Sequence, residues 1–501
     1  MGNTALLTVL VMAATVMQAL DTTIANVALP YMQGTLAATS DQINWVLTSY
    51  IVAAAIMTPP TGWLSERFGR KRLFIAAVAG FTVASGLCGM ARSLEQMVLF
   101  RLAQGVFGAP LVPLAQSVLL DAYPRERHGR AMALWGMGVM VGPILGPSLG
   151  GWLTENWQWR WVFYINLPIG VLTALGLGVA LAERSSEGHR RFDWLGFTVL
   201  SVGIGALQLM LDRGEQLDWF SSREVVAEAV AAGLGFYLFA VHLVTAEAPF
   251  IDRRLFADRN LVTGLAFIFV VGVILLATLA LLTPFLQTLL GWPVLTAGLV
   301  MAPRGIGTMA AMMLVGRLIG RVDPRALIAF GLALIALSLW EMSHFNLDVG
   351  PGALVRTGVT QGLGLGFVMV PLSTVTFATL DPVLRTQGTA LFSLMRNIGS
   401  SIGISVVIFL LSRNSQVMHS ELAAQATPFN PAMAAAGVAR LWSLGTLQGA
   451  AALDAEITRQ ATLVAFLDDF RLMTGLALGA MPLTLMMRRP GRARSAAVAV
   501  E

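Results

Sequence analysis

The chain has 501 residues, of which 56% are hydrophobic and only 12% are charged, and its mean hydropathy is +0.71. A soluble globular protein carries about 25% charged residues, so this composition excludes that class and predicts a polytopic membrane protein. The formal net charge of +5 does not indicate nucleic-acid binding, because the basic residues lie in short tracts between apolar segments. The single cysteine, Cys88, excludes an intrachain disulfide and a cysteine metal cluster.

Apolar stretches of about 20 residues, the length that crosses a hydrocarbon core as a helix, recur along the whole chain. We predict fourteen membrane-spanning helices, at residues 5–30, 43–64, 73–91, 96–120, 131–154, 161–183, 193–211, 225–245, 261–286, 294–316, 325–344, 351–378, 388–412 and 463–487. Most of the 33 Lys and Arg residues fall in alternate loops. The positive-inside rule then places both termini in the cytoplasm.

These helices predict an all-α architecture of two six-helix bundles with two extra helices between them. Residues 1–183 form the first bundle, and residues 184–250 form a linker with the extra pair. The second bundle covers 251–487, and a basic cytoplasmic tail follows at 488–501. Residues 413–462 are expected to form a long external loop. Because long loops are often functional, this one is either a spacer or a docking surface for a periplasmic partner.

The first predicted helix contains an ionisable residue, Asp21. On translocon scales a carboxylate at the bilayer centre costs roughly 2.5–3.5 kcal/mol, so such a residue by default marks an ion, proton or substrate pathway. Asp21 must therefore be paired, or must gain and lose a proton. This residue makes transport the first function to consider.

The loop after the second helix, residues 62–72, is basic and has an echo after the tenth helix, at residues 316–325. A second, looser echo relates residues 101–105 to 356–362, so the two bundles are expected to be parallel repeats. The positive-inside rule alone explains the arginines. The functional alternative is a salt-bridge lock between the bundles that opens when they move. Its predicted members are Gly62, Glu66, Arg67, Gly69, Arg70 and, at the end of the fourth helix, Asp121.

The fourth helix carries a second intramembrane charge, Arg101. At 1.5 Å per residue, Asp21 and Arg101 fall at similar depth in the outer half of the membrane. Arg101 is either a structural partner of the carboxylate or a cation that tunes its protonation. On both interpretations the two residues are coupled.

Small residues repeat every four positions in the fifth helix. This spacing predicts a groove into which another backbone packs closely. Two prolines in the same segment remove intrahelical hydrogen bonds and predict bends. The residues of this pattern are Gly138, Gly142, Pro143, Gly146, Pro147 and Gly150.

Polar residues in several helices suggest a substrate cavity. The predicted members are Gln104, Gln116, Gln361, Arg396 and Asn397. For any single glutamine a helix–helix contact is the alternative. For Arg396, as for Arg304 in the tenth helix, the alternative is a side chain that snorkels towards the interface or caps a neighbouring helix.

Several of these segments resemble the major facilitator superfamily. Residues 62–72 resemble its motif A, residues 101–108 its motif B, and residues 138–151 its motif C, the antiporter signature. The stretch around Asp21 is similar to the first-helix motif of the fourteen-helix drug:proton antiporters. Residues 159–168 and 211–220 resemble the EmrB subgroup of that branch. Glu66 departs from motif A, where Asp is usual.

The resemblance implies the major facilitator fold and a transporter of the cell inner membrane. It also implies that the fifth helix seals one side of the transport path, and packing alone is the alternative for that helix. It implies hydrophobic toxic substrates, weakly acidic or cationic, with a periplasmic adaptor and an outer-membrane channel if the cell has two membranes. Its other expected partners are membrane lipid and protons, with proton coupling at Asp21 and Arg101. A narrow-substrate exporter or lipid translocator of the same fold stays open, and an importer or a polytopic membrane enzyme is a weaker alternative.

The sequence contains neither a G-x-x-x-x-G-K-[ST] phosphate loop nor an H-E-x-x-H zinc motif. We therefore expect no ATP use by that route, no metal, no cofactor and no enzyme activity. A secondary transporter driven by an ion gradient is the remaining interpretation.

Overall fold

The computed structural model of the chain describes residues 2–182, 191–427, 429–430, 442–443 and 445–487. The predicted tail at 488–501 and most of the predicted linker before the extra helix pair lie outside these residues. Within the described residues the structure is helical, and its one β-bridge joins Ile319 to Val322.

In the part of the chain that the structure describes, fourteen long helical segments follow one another in chain order. They are α1 (Gly2–Thr35), α2 (Trp45–Met57, then Thr61–Phe68), α3 (Arg70–Met90), α4 (Leu94–Gly108, then Leu111–Ala122), α5 (His128–Asn156), α6 (Trp161–Tyr164, then Asn166–Ala180), α7 (Trp194–Arg213), α8 (Arg223–Thr245), α9 (Arg259–Pro284, then the π-helical Phe285–Leu289), α10 (Val294–Leu318), α11 (Pro324–Met342), α12 (Pro351–Thr376), α13 (Arg385–Gln425) and α14 (Leu447–Ala480). Shorter helical turns occupy Ser40–Ile43, Arg125–Arg127, Trp219–Ser221, Arg254–Ala257, Pro382–Leu384 and Met481–Met486.

Each predicted span coincides with one of these segments. Among the described residues, eleven helices are long and apolar enough to cross a membrane, or twelve if the two parts of α5 form one bent span. The Trp45–Met57 part of α2 is shorter than a usual span, and α14 is not among the eleven. The all-α membrane architecture is therefore confirmed, while the count of fourteen spans and the location of the termini stay predictions.

Prolines account for several of the breaks. The two parts of α2 are separated at Pro59 and Pro60, and the two parts of α4 at Pro110. A proline lacks the N–H that continues the helical hydrogen-bond ladder, so it ends or bends a helix. In α5 the axis turns by 42° between His128–Gly146 and Ser148–Asn156.

The two bundles share one pattern of helix pairing. In the first bundle α1 packs against α5 and α6, α2 against α4, and α3 against α4 and α6. In the second, α9 packs against α13 and α14, α10 against α12, and α11 against α12 and α14. Each contact recurs between helices at equivalent positions, as the repeated loop sequences predict. The halves meet through α5 with α10 and α2 with α13, which are exchanged positions.

The extra helix pair lies beside this interface. Helices α7 and α8 pack closely at Gly203 and Gly235, where an added Cβ at Gly235 would lie 2.6 Å from the Cα of Gly203. Helix α7 also contacts α2 of the first bundle and α13 of the second. The pair therefore bridges the two bundles on one side.

The predicted loop at 413–462 is largely helical where it is described. Helix α13 has 41 residues and continues to Gln425, and α14 begins at Leu447. At 1.5 Å per residue α13 is about 60 Å long, about twice the thickness of a hydrocarbon core. His419 on α13 contacts Asp454 on α14 at 3.0 Å, so the two extensions form a helical hairpin. The predicted loop is therefore helical at residues 413–425 and 447–462, and its location outside the membrane stays a prediction.

Candidate functional site

A buried ion pair joins α1 to α4 in the first bundle. Arg101 Nη1 lies 2.7 Å from Asp21 Oδ2, and both side chains have no exposed surface. Depth along the two helices predicted that these charges would be coupled, and the structure brings them into contact. A carboxylate and a guanidinium removed from water stay charged only when paired and hydrogen-bonded.

Further donors complete the surroundings of Asp21. Gln104 Nε2 donates to Asp21 Oδ1 at 2.7 Å, and Asn166 Nδ2 donates to the same oxygen at 3.0 Å. Arg101 itself donates to Gln104 Oε1 at 2.7 Å and, through Nε, to the Val46 carbonyl at 3.0 Å. The carboxylate thus accepts three hydrogen bonds, and the network connects α1, α2, α4 and α6.

The network extends to α3 and to two aromatic rings. Asn166 Nδ2 also donates to Ser85 Oγ at 3.0 Å, and Ser85 donates to the Phe163 carbonyl at 2.9 Å. The Arg101 guanidinium carbon lies 4.4 Å from the centre of the Tyr50 ring and 5.7 Å from that of Phe163. Rings that face a cation stabilise it, and they also exclude water from the pair. The site holds a charge pair that five helices share.

A proton on Asp21 would change the hydrogen bonding of this network. Protonation of Asp21 removes the negative charge and replaces one acceptor oxygen with a hydroxyl donor. Arg101 then loses its counter-ion, and the donors on Gln104 and Asn166 cannot all remain satisfied. A change of protonation state therefore favours a different packing of α1 against its neighbours.

Sequence reasoning missed part of this site. Gln104 was predicted to line a substrate cavity, but it is fully buried against Asp21 and Arg101. Asn166 and Ser85 were not singled out. Both are polar residues inside apolar segments, which was the available signal, but many such residues only bond their own helix.

At the end of the molecule that carries residues 62–72, the two bundles are in direct contact. Asp121 forms ion pairs with Arg70 of its own bundle and with Arg385 at the start of α13. Arg70 also donates to the Pro382 carbonyl at 3.3 Å. The Asp121 carboxylate of α4 therefore joins α3 of its own bundle to α13 of the other bundle. Asp121 and Arg70 are both members of the predicted lock.

The predicted role of Glu66 needs correction. Its carboxylate accepts a hydrogen bond from Gln387 Nε2 at 2.8 Å, which is a contact with a neutral amide of α13. Gly62 lies beside the same residue, and an added Cβ there would be 2.1 Å from Gln387 Cγ. The bundles approach closely here because position 62 has no side chain. Arg385 and Gln387 are the members that the sequence prediction missed.

Two other predicted members occupy different surroundings. Arg67 is exposed and lies in the last turn of α2. Gly69 joins α2 to α3 with φ of +83°, a conformation that side-chain-bearing residues rarely adopt. The glycine allows the chain to turn directly from one helix into the next.

The glycine face of α5 packs against the backbone of α1. An added Cβ at Gly142 would lie 2.3 Å from the Ala19 carbonyl oxygen, and one at Gly146 would lie 2.1 Å from Thr23 Oγ1. Thr23 donates to the Gly142 carbonyl at 3.0 Å. Gly138 and Gly150 continue the same contact along α1. The predicted groove is therefore present, and it holds the helix that carries Asp21.

The remaining predicted cavity residues have separate partners. Gln116 Nε2 contacts the sulfur of Met132 at 3.7 Å, and Gln361 Nε2 donates to Thr278 Oγ1 at 3.2 Å. Arg396 donates to its neighbour Asn397 at 3.4 Å. Gln361 lines a small cavity together with Arg304.

A larger cavity, of about 170 Å³, lies between α2, α7 and α13. Its lining mixes aliphatic side chains with Thr48, Gln208, Asp212, Ser401 and Ser405. Thr48 donates to the Asp212 carboxylate, and Ser405 Oγ donates to the Leu211 carbonyl at 2.9 Å. Helix α7 is thus hydrogen-bonded to both bundles beside this cavity.

Two bundles of equivalent helix pairing, joined at one end by the ion pair of Asp121 with Arg385, are the architecture of membrane transporters of the parallel-repeat class. The sequence pattern of the Major Facilitator Superfamily matches residues 11–404, and the chain belongs to this family.

Known relatives match most of the chain. The fatty acid resistance protein FarB of Neisseria gonorrhoeae is 39% identical over 83% of this chain and 82% of its own. The multidrug export protein EmrB of Escherichia coli K12 is 36% identical over 97% of this chain and 95% of its own. EmrB of Haemophilus influenzae is 38% identical over 86% and 85%.

Solved structures share the fold. The human organic anion transporter MFSD10 (TETRAN) superposes with a TM-score of 0.60 at 13% identity, covering 96% of this chain and 99% of that one. A bacterial homologue of the human lysosomal transporter Spinster, inward-facing and occupied, superposes with a TM-score of 0.54 at 19% identity, over 96% and 98%. At these identities the likeness concerns the fold alone.

Proposed function

We propose that this protein exports hydrophobic toxic compounds in exchange for protons, by alternating access, and is not an enzyme. The buried pair of Asp21 and Arg101 is the observation that carries the proposal, because an acid so deep in a bundle has a cost that proton coupling explains. Relatives named for multidrug export and for fatty acid resistance support export as the direction and hydrophobic compounds as the substrates.

The coupling runs from Asp21 to the bundle interface through packed helices. Asp21 lies on α1, whose backbone contacts Gly142 and Gly146 of α5. Another part of α5 meets the second bundle, since an added Cβ at Gly305 of α10 would be 2.0 Å from Ile144 Cγ1. A proton from outside neutralises Asp21, and the shift of α1 that follows changes how α5 lies on α10.

The conformation fits one end of such a cycle. The bundles touch where Asp121 pairs with Arg385, on the side that the positive-inside rule assigns to the cytoplasm. In the opposite state this contact is broken, and substrate reaches the bundle interface from the cytoplasm or the inner leaflet. Substrate binding there favours release of the proton from Asp21 on the cytoplasmic side.

We place the protein in the cell inner membrane, with membrane lipid, protons and hydrophobic small molecules as its partners. In a cell with two membranes, a periplasmic adaptor and an outer-membrane channel complete the export route. The helical hairpin formed by the ends of α13 and α14 extends beyond the length of a membrane span and offers a rigid docking surface for the adaptor.

Uphill transport into inside-out vesicles tests the proposal. An imposed proton gradient should drive uptake of a lipophilic dye by the wild type, and Asp21→Asn at equal expression should abolish uphill uptake while dye binding persists. Each charge that crosses the full potential supplies about 2.3 kcal/mol per 100 mV, so even one proton gives useful driving force. Undiminished uptake by the variant would remove Asp21 from coupling. A wild type that moves no dye would favour a narrow-substrate or lipid transporter.

A further inference from the structure

Arg304, in the second bundle, is a further buried arginine, and among the described residues no acid lies beside it. Arg304 lies near the middle of the 25-residue helix α10 and is only 7% exposed. Its Nη2 donates to the Leu275 carbonyl of α9 at 3.4 Å, a long hydrogen bond. Its Nη1 is buried and has no hydrogen-bond partner among the described residues. Arg304 thus differs from Arg101, which has the Asp21 carboxylate as its counter-ion.

Snorkelling does not explain this position. A snorkelling side chain places its charged end in water or at the interface, whereas Arg304 sits mid-helix and is almost fully covered. An arginine cannot escape the cost of burial by losing its proton, as lysine or a carboxylic acid can. A buried charge without a partner is strongly unfavourable, so the site calls for an anion.

The walls around Arg304 indicate what kind of anion fits. The side chain lines two small cavities of about 10 Å³ each, which is room for about one water molecule. Apart from Arg304 and Gln361, the linings are aliphatic, methionine and glycine residues. Gln361 Oε1 is also buried without a partner among the described residues. The site offers a fixed positive charge and one amide oxygen within an otherwise apolar enclosure.

Close helix packing holds the arginine in place. An added Cβ at Gly362 of α12 would lie 2.0 Å from the Arg304 carbonyl oxygen, so the two backbones touch. The guanidinium then points from a fixed backbone into the space between α9, α10 and α12. A ligand reaches this space when the helices separate during the transport cycle.

We propose that Arg304 binds the anionic group of an amphiphilic organic anion, a carboxylate attached to an apolar body that packs against the surrounding aliphatic side chains once the helices separate. Mid-helix depth excludes a lipid headgroup phosphate, which stays at the interface. The inference rests on the proposed function only for the export that follows binding, since binding itself requires no gradient.

Equilibrium binding of decanoate and of its methyl ester to the purified full-length protein in nanodiscs tests the site, because the two probes differ in charge and share the acyl chain. The wild type should bind decanoate at least tenfold more tightly than the ester. Arg304→Gln should remove this preference by weakening decanoate alone, and Arg304→Lys should give an intermediate value, since a lysine keeps the charge but not the planar fork.

Arg356→Gln is the matched control. Arg356 lies on α12, is 69% exposed and contacts Glu341 at 3.5 Å, so its loss should leave both affinities unchanged. Equal decanoate affinity in the wild type and Arg304→Gln would overturn the proposal, and so would an equal loss in the control. Equal protection of the wild type against thermal unfolding by chloride and decanoate would also overturn it, because the acyl chain would then contribute nothing.

The result is separable from the proposed function. If Arg304→Gln still exports a cationic dye but fails with decanoate, both proposals stand. If decanoate binds through Arg304 but no gradient drives transport, the binding site stands and proton-driven export does not. If Arg304→Gln does not yield folded protein, Arg304→Lys decides: a decanoate affinity equal to that of the wild type then overturns the site.

Discussion

At the scale of single residues, Asp21 and Arg101 depend on each other. Each is fully buried, and each supplies the other's opposite charge. Removing one partner of such a pair leaves a charge in a medium that cannot solvate it, whereas removing both leaves only neutral groups. The two substitutions should therefore not have additive effects on stability.

A double-mutant cycle measures this dependence. Arg101→Gln should lower the free energy of unfolding by about 3–5 kcal/mol, because the Asp21 carboxylate stays buried without its cation. Asp21→Asn combined with Arg101→Gln should cost less than Arg101→Gln alone. Denaturant unfolding of the purified variants in detergent gives the values. Additive losses would mean that the pair contributes little, and the coupling mechanism built on it would fail.

The sequence predicted the charges of this site better than its neutral members. Counting residues along a helix gives depth, which is why Asp21 and Arg101 could be matched. The direction in which a side chain points around the helix depends on packing, and depth alone does not contain it. Gln104 was therefore assigned to a cavity, and Asn166 was missed, although both donate to Asp21.

At the scale of elements, α5 connects the proton site to the bundle interface. Its glycine face accepts the backbone of α1, and other positions along it contact α10. The packing part of the motif C prediction is thus confirmed by distances, while gating stays a prediction. A side chain on the glycine face should push α1 away, and one elsewhere on α5 should not.

Two alanine substitutions on α5 separate these cases. Gly142→Ala places a Cβ 2.3 Å from the Ala19 carbonyl oxygen, and overpacking of this kind typically costs about 1–3 kcal/mol. Gly151→Ala meets no atom within 4 Å and should be neutral or slightly stabilising, because alanine favours a helix over glycine. The thermal unfolding temperature and the dye uptake of the two variants distinguish these cases. Equal behaviour of the pair would show that the groove is not a close contact.

Helix α7 offers a second test at this scale. Thr48 of α2 donates to the Asp212 carboxylate, which is exposed and stays hydrated, so Thr48→Val should cost about 1 kcal/mol, the net contribution of a typical hydrogen bond. Thr245→Val on α8 removes bonds only to the carbonyls of Val241 and His242 in its own helix and should change stability little. Denaturant unfolding in detergent gives the free energy of unfolding of the two variants. A Thr48→Val variant as stable as the control would show that α7 is not tied to the first bundle at this point.

The ends of α13 and α14 show where hydropathy stops being informative about helices. Apolar runs locate the part of a helix that meets lipid, and the predicted end of α13 at 412 reflects the start of a more polar stretch. The helix continues to Gln425 because Gln, Glu, Met and Ala in that stretch are good helix formers in water. Hydropathy therefore predicted the spans and missed the hairpin.

At the scale of the whole molecule, the pseudo-symmetric contacts explain how a lock can open. Helix α5 meets α10 and α2 meets α13. The pseudo-symmetry exchanges these two contacts, because α13 is the equivalent of α5 and α10 is the equivalent of α2. Rocking about such an interface trades contacts at one end for contacts at the other. The Asp121–Arg385 pair and the approach of Gly62 to Gln387 must then break in every cycle.

A reversible cross-link at this end tests that requirement. An ideal Cβ at position 62 lies 3.0 Å from the Gln387 Cβ, near the roughly 3.5–4.5 Å that a disulfide needs. With the buried Cys88 replaced by Ala, the double variant Gly62→Cys with Gln387→Cys should cross-link under oxidation. Because the bundles could then no longer separate at this end, gradient-driven dye uptake should fall at least tenfold and recover on reduction.

The reduced double variant is its own control, since it carries the same substitutions without the bond. Single-cysteine variants treated with oxidant exclude damage elsewhere in the chain. Full transport by a completely cross-linked protein would show that residues 62 and 387 stay together throughout the cycle. Alternating access would then need an opening somewhere other than between α2 and α13, and the role assigned to the Asp121 lock would have to be given up, because Asp121 and Arg385 lie at the same end of the interface.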